Sequence, residues 1–168
     1  MKKNLNRLIG SKALDFTLED QKNKRFTLSD FTGKNVLLSF HPLAWTSVCA
    51  QQMKSLEEHK KDFTKTNTIA VGISVDSVPC KNAWAKHLGI TQTRLLSDFW
   101  PHGVVAQQYC VFLDKEGVSG RVNIFIDEEQ KILFVKKYPL SQVPDIRQIL
   151  TMIQSKITPQ KSKSQSRR

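Results

Sequence analysis

Asn35-Val36-Leu37-Leu38-Ser39-Phe40-His41-Pro42-Leu43-Ala44-Trp45-Thr46-Ser47-Val48-Cys49-Ala50-Gln51-Gln52 is the stretch on which the reading of this chain turns. Its first six residues are almost continuously apolar, as a strand buried on both faces requires. Pro42 closes that strand. From Val48 the period changes: Val48, Met53, Leu56 and Phe63 recur near helical spacing, while Gln51, Lys54, Glu58 and Lys61 fill the other side. The spacing therefore predicts a buried strand followed by a helix with Cys49 in its first turn. Unpaired backbone N–H groups and the helix dipole make that the place where a thiol ionises most readily.

Working outward, Leu14, Phe16 and Leu18 alternate with polar residues in Ala13–Asp20, which predicts a half-buried strand. A polar turn at Gln21–Lys24 leads to Arg25–Leu28 as its hairpin partner, and Ser29–Lys34 is a turn into the central strand. Thr68–Val75 is β-branched and nearly continuous in apolar character, as a central parallel strand should be. Asp76 or Ser77 caps a second helix with Pro79 in its first turn, and Cys80, Trp84 and His87/Leu88 share one face of it. Thr93–Ser97 reads as a short strand, Asp98–Gly103 as a turn and Val104–Cys110 as a short helix. Ser119–Asp127 and Ile132–Lys137 form a strand pair around Glu128–Lys131, and Val143–Ile153 is an amphipathic helix with Pro144 in its first turn. The order β-β-β-α-β-α-β-α-β-β-α implies an α/β sandwich around a mixed sheet.

A chain of 168 residues with a hydrophobic fraction of 39% fits one globular domain. No apolar run is long enough for a transmembrane helix. The N-terminal Met1-Lys2-Lys3-Asn4-Leu5 has no apolar stretch behind it, so no secretory signal is expected and a cytoplasmic location is. Three cysteines without short paired spacing suit a reducing compartment rather than a disulfide framework. Of the net charge of +11, five positive charges lie in Lys156–Arg168 and three in the first ten residues, with no acid in either segment, which leaves +3 for the body. Residues 1–155 are thus expected to form the domain and 156–168 a basic, disordered tail. No zinc-finger spacing or Gly-aromatic RNA motif accompanies that charge, so nucleic acid is not an expected partner. The four histidines make no metal-ligand spacing.

The pattern Pro42-x-x-x-Thr46-x-x-Cys49 resembles the active-site signature of the peroxiredoxins, the alkyl hydroperoxide reductase/thiol-specific antioxidant family. Val75-Asp76-Ser77-Val78-Pro79, Ala83-Trp84-Ala85, Ser97-Asp98-Phe99 and Gly103-Val104-Val105-Ala106 also look like family sequence, so the resemblance spans roughly residues 10 to 155. It implies a thioredoxin-type fold with an added N-terminal β-hairpin. It also implies a thiol peroxidase that reduces hydrogen peroxide and organic hydroperoxides through a sulfenic acid at Cys49, with no cofactor. Thr46 would orient the peroxide, against the plainer reading that it or Ser47 merely caps the helix. Pro42 would shield the thiolate, against simply ending the strand. Arg121, in Ser119–Asp127, would lie beside Cys49 and stabilise it, a task suited to a permanently charged fork of donors. Many members carry a Glu three residues after the active cysteine; Gln52 stands there and can still bond Arg121.

Recycling depends on the other two cysteines. No cysteine follows Cys110, and position 54 is Lys54, so two familiar resolving positions are vacant. Cys80, at the start of the second helix where its pKa could be lowered, is either a resolving thiol or a core residue beside Trp84 and Leu88. Cys110, where many relatives have Gly, reads as buried and inert. His41 is a strand-end spacer or a neighbour that influences Cys49. The arrangement resembles one-cysteine or atypical members, which commonly pair as homodimers and use a thioredoxin-like or low-molecular-weight thiol. A thiol–disulfide carrier and a non-catalytic redox sensor are the rival readings; the first lacks its Cys-x-x-Cys, and the second would consume peroxide only stoichiometrically.

Overall fold

The structure, a computed structural model, describes residues 4–164, with side chains described through Thr158. After a 3-10 turn at Leu5–Leu8 come β1 (Thr17–Asp20), β2 (Arg25–Thr27), a 3-10 turn at Leu28–Phe31 and β3 (Asn35–Phe40). Then follow α1 (Ser47–Glu58), α2 (Lys60–Lys65), β4 (Thr68–Ser74), α3 (Val78–Leu88), β5 (Arg94–Ser97) and α4 (Val104–Gln108). The chain continues with β6 (Phe112–Leu113), β7 (Val118–Ser119), β8 (Arg121–Ile126), β9 (Ile132–Tyr138) and α5 (Ile146–Ser164). Seven strands form one mixed sheet in the order β2-β1-β5-β4-β3-β8-β9, and β6 and β7 form a separate two-stranded ladder. β3, β4 and β5 run parallel, while β1, and β8 against β3, run antiparallel. The expected N-terminal hairpin is present, but it is part of the main sheet, joined through β1 and β5.

Alternation along the central strands divides the core into two layers. Val36, Leu38 and Phe40 face one side with Val71, Ile73, Val122, Ile124 and Ile126, and are covered by Phe16, Leu18, Phe26 and Tyr109. Leu37 and Phe125 face the other, under Met53 and Leu56 of α1, Phe63 of α2, Trp84 of α3 and Ile149 and Ile153 of α5. Gly72 of β4 lets α1 sit close, because a Cβ there would overlap the Met53 sulfur.

Several boundaries differ from the sequence expectation. Leu14 is exposed and only the end of the first predicted strand is paired. The helix carrying Cys49 is interrupted at His59, whose ring nitrogen bonds the Ser55 carbonyl; the apolar phase survives the break, so Phe63 is still buried. α4 stops at Gln108 rather than Cys110, because Cys110 has a left-handed φ of 59°. α5 begins at Ile146 rather than Val143 and continues through the position chosen for the start of the tail, with Ile157 packed against the core. Lys and Gln are good helix formers, so a charge run alone does not end a helix. The last four residues of the expected tail lie outside the described residues.

Candidate active site

Parallel strands deliver their C-terminal ends to one edge of the sheet, and the antiparallel β8 delivers its first residue there. Phe40 pairs with Val122 and Ser39 with Asn123, so Arg121 lies just past the end of β3. Alternation places Arg121 on the same face as Phe125, the face covered by α1. Cys49 is the third residue of α1, among backbone N–H groups that have no partner within the helix. Strand order and helix start together bring the two side chains into contact.

The contact is direct and dry. Arg121 Nη1 donates to Cys49 Sγ at 3.5 Å and Nη2 at 3.6 Å. Cys49, Gln52 and Arg121 are 1%, 2% and 2% exposed. Nη1 also donates to Gln52 Oε1 at 2.5 Å, while Nε and Nη2 donate to the Leu140 carbonyl at 3.2 and 2.7 Å. The Gln52 amide in turn donates to Ser39 Oγ at 2.7 Å and to the Phe40 carbonyl at 3.3 Å. The guanidinium is thus held in a single orientation by groups from α1 and from the segment after β9.

Thr46 occupies the cap position of α1 but makes no side-chain cap hydrogen bond; its hydroxyl donates to the Leu43 carbonyl at 2.8 Å. It is exposed, and Pro42 is half-buried. The loop between them is anchored by Asp76, whose Oδ2 accepts from the Ala44 N–H at 2.8 Å and the Ser74 hydroxyl at 2.5 Å. Cys80 stands on the other side of that carboxylate, its thiol 3.8 Å from Asp76 Oδ1. Burial pushes the Cys80 thiol up and the Asp76 charge adds to it, against the lowering that a helix start could give. Ser77, not Asp76, caps α3.

The sequence reading missed Lys81. It is fully buried on α3 together with Trp84 and Ala85, and its Nζ lies 3.3 Å from Nε2 of the equally buried His41. The signal was available: spacing of three and four puts position 81, more than Cys80 or the exposed His87, on the apolar stripe.

The AhpC/TSA family matches residues 9–135. The chain belongs to the peroxiredoxins of the AhpC/TSA family. It is 40% identical to alkyl hydroperoxide reductase E of Mycobacterium tuberculosis over 140 residues, covering 83% of this chain and 91% of that protein. It is 32% identical to a peroxiredoxin of Thermoplasma volcanium, covering 88% and 74% of the two chains. Among solved structures, the mitochondrial 2-Cys peroxiredoxin of Plasmodium falciparum superposes with a TM-score of 0.83 at 29% identity, covering 92% of this chain and 97% of that one. This peroxiredoxin is therefore a thiol peroxidase with the thioredoxin-like fold of its family.

Proposed function

We propose that Cys49 is the peroxidatic thiol, and that the observation carrying this is the pair of Arg121 N–H groups aimed at its sulfur inside a dry site. The thiolate attacks the terminal peroxide oxygen. An S–O bond forms, the O–O bond breaks, sulfur loses two electrons, and the second oxygen leaves as water or alcohol after taking a proton. Negative charge passes from the sulfur to the departing oxygen as this happens, and the Arg121 N–H groups, already fixed in place, follow it from one to the other without reorganisation. Gln52 and Leu140 keep the guanidinium fixed. Thr46 has its hydrogen committed to Leu43, so its oxygen accepts from the peroxide O–H and orients it. Pro42 walls the site against water.

Recycling by an external thiol, the one-cysteine scheme, fits better than resolution by Cys80. A resolving thiol attacks as the thiolate, and burial and Asp76 both disfavour that form at Cys80. Three unpaired cysteines suit a reducing, cytoplasmic setting. Leu43, Trp45, Phe99 and Trp100 are exposed and follow the C-terminal ends of the parallel strands β3 and β5, so they share the edge that carries Cys49. An apolar rim of this kind suits pairing with a second copy of the chain.

Intact mass after one equivalent of hydrogen peroxide tests the assignment, with Cys49→Ser as control. Gain of one oxygen on Cys49 without a disulfide is the expected result. An unmodified Cys49 would sink the assignment, and a Cys49–Cys80 disulfide would replace the external thiol with an internal one.

A further inference from the structure

Lys81 is a charge buried without a carboxylate. Neither of the two ion pairs among the described residues includes it, and its one side-chain hydrogen-bond partner there is His41. An ammonium group only donates, so His41 Nε2 must accept. His41 is neutral near pH 7: burial lowers its pKa well below the usual value, with further lowering from Lys81 and then Arg121. The single proton of a neutral imidazole whose Nε2 accepts belongs to Nδ1. That atom is buried and has no partner among the described residues. The ring is held over Trp84, 5.4 Å between centroids, and the Ser119 hydroxyl fixes the His41 carbonyl at 2.8 Å.

The groups facing this pair come from every neighbouring element. Asp76 lies between β4 and α3, Cys80 on α3, Cys49 on α1 and Asp98 just after β5; each acts electrostatically on Lys81, and Arg121 of β8 acts on His41. Both aspartates already have other partners: Asp76 holds Ala44 and Ser74, and Asp98 accepts from the Val105 and Ala106 N–H groups at 3.1 and 2.9 Å. We propose that Lys81 is a positioning residue of the peroxidase reaction: its ammonium locks His41 as the Nδ1–H tautomer and sets a second buried positive charge, after Arg121, in the field of the Cys49 sulfur. The kinetic half of this rests on the assignment of Cys49 as peroxidatic thiol.

The consequence is a rate that depends on the protonation of a residue which does not touch the peroxide. Burial lowers Lys81 to about 7, against opposing pulls from Asp76, Cys80, Cys49 and Asp98. Its charge is present below that pH and lost above it, so the pH–rate profile of Cys49 oxidation acquires a limb near neutrality that the thiol's own ionisation would not give. A lysine with an ordinary pKa would give no such limb in this range.

The test has a part without peroxide and a part with it. Long-range ¹H–¹⁵N NMR of the reduced full chain at pH 6 is expected to show His41 as Nδ1–H in the wild type and to lose that preference in Lys81→Met. Stopped-flow oxidation by hydrogen peroxide is expected to show that limb in the wild type. Lys81→Arg and Lys81→Met should both remove it. An Nε2–H His41 in the wild type overturns the proposal even if no variant folds, and so does a limb that survives in Lys81→Met. Peroxide consumption undiminished in Cys49→Ser would overturn the Cys49 assignment and the kinetic half with it, a failure distinguishable because the tautomer is read without peroxide.

Discussion

Arg121 and Lys81 are two cations buried at the same end of the sheet, and they are treated in opposite ways. Arg121 has each of its three nitrogens donating, to Cys49, Gln52 or Leu140. Lys81 has a single side-chain partner among the described residues, a neutral imidazole. A guanidinium keeps its charge at every accessible pH, so surrounding it with acceptors fixes its direction. An ammonium gives up its proton when it is stripped of water and left without an anion, so the same burial that immobilises Arg121 makes Lys81 titratable. The difference teaches that burial by itself says little about a charge; the number and kind of its partners decide whether it becomes a fixture or a switch.

Removing the fixture should have the largest effect. Arg121→Met takes away both donors to Cys49, and the rate of Cys49 oxidation by hydrogen peroxide is expected to fall by about 10²–10³. Arg121→Lys should recover only part of this, because one ammonium cannot serve the sulfur, Gln52 and Leu140 together. A loss under about five-fold in Arg121→Met, measured by stopped flow, would mean that the two cations differ less than their contacts suggest.

The switch should show in stability. Between about 7 and the ordinary lysine value of 10.5, the unfolded chain binds a proton at position 81 that the native chain does not. Stability from Lys81 therefore rises with pH across that interval. Lys81→Met should remove the rise and stabilise the protein at pH 6 by about 1–4 kcal/mol, read from urea midpoints at pH 6 and 9.5. A midpoint difference between those pH values that is the same in both proteins would contradict a titrating Lys81.

Glu57 supplies a smaller contrast, an anion bound by backbone rather than by a cation. Burial raises its pKa, but bonds from the Thr91 hydroxyl and from the backbone N–H groups of Thr91, Gln92 and Thr93 outweigh this and hold it at about 2. Its contribution is complete above the ordinary value of 4.5 and is lost as pH falls toward 2. Glu57→Gln should cost about 1 kcal/mol at pH 7, allowing for solvent around a partly exposed group, and almost nothing near pH 2. Guanidinium titrations at the two pH values would check this; an equal loss at both would point to packing rather than charge.

Legibility in the sequence followed the range of the interaction. β3, β4, β8 and β9 were readable because continuous apolar runs report burial directly. Cys49 was readable because a change of period fixes a helix start. Gln52 and Arg121 were brought to it by family resemblance, since no local pattern says that positions 49 and 121 touch; only the strand register does. The break at His59 was hidden because the apolar phase runs through it, and the β6–β7 ladder because two residues a side carry no period. Lys81 was hidden by its residue type: a lysine is read as surface, and here the helix face overruled that reading.

The seating of α1 on Gly72 also decides how this enzyme endures its own substrate. Met53 is one helical turn beyond Cys49, and its thioether, like the thiol, is open to two-electron oxidation. It is wholly buried, pressed into the space that the missing side chain of Gly72 leaves. Peroxide in solution does not reach it while the helix is seated. Peptide mapping for sulfoxide at Met53 would thus serve as an internal dosimeter, silent through normal turnover and recording only those occasions on which the start of α1 has come off the sheet.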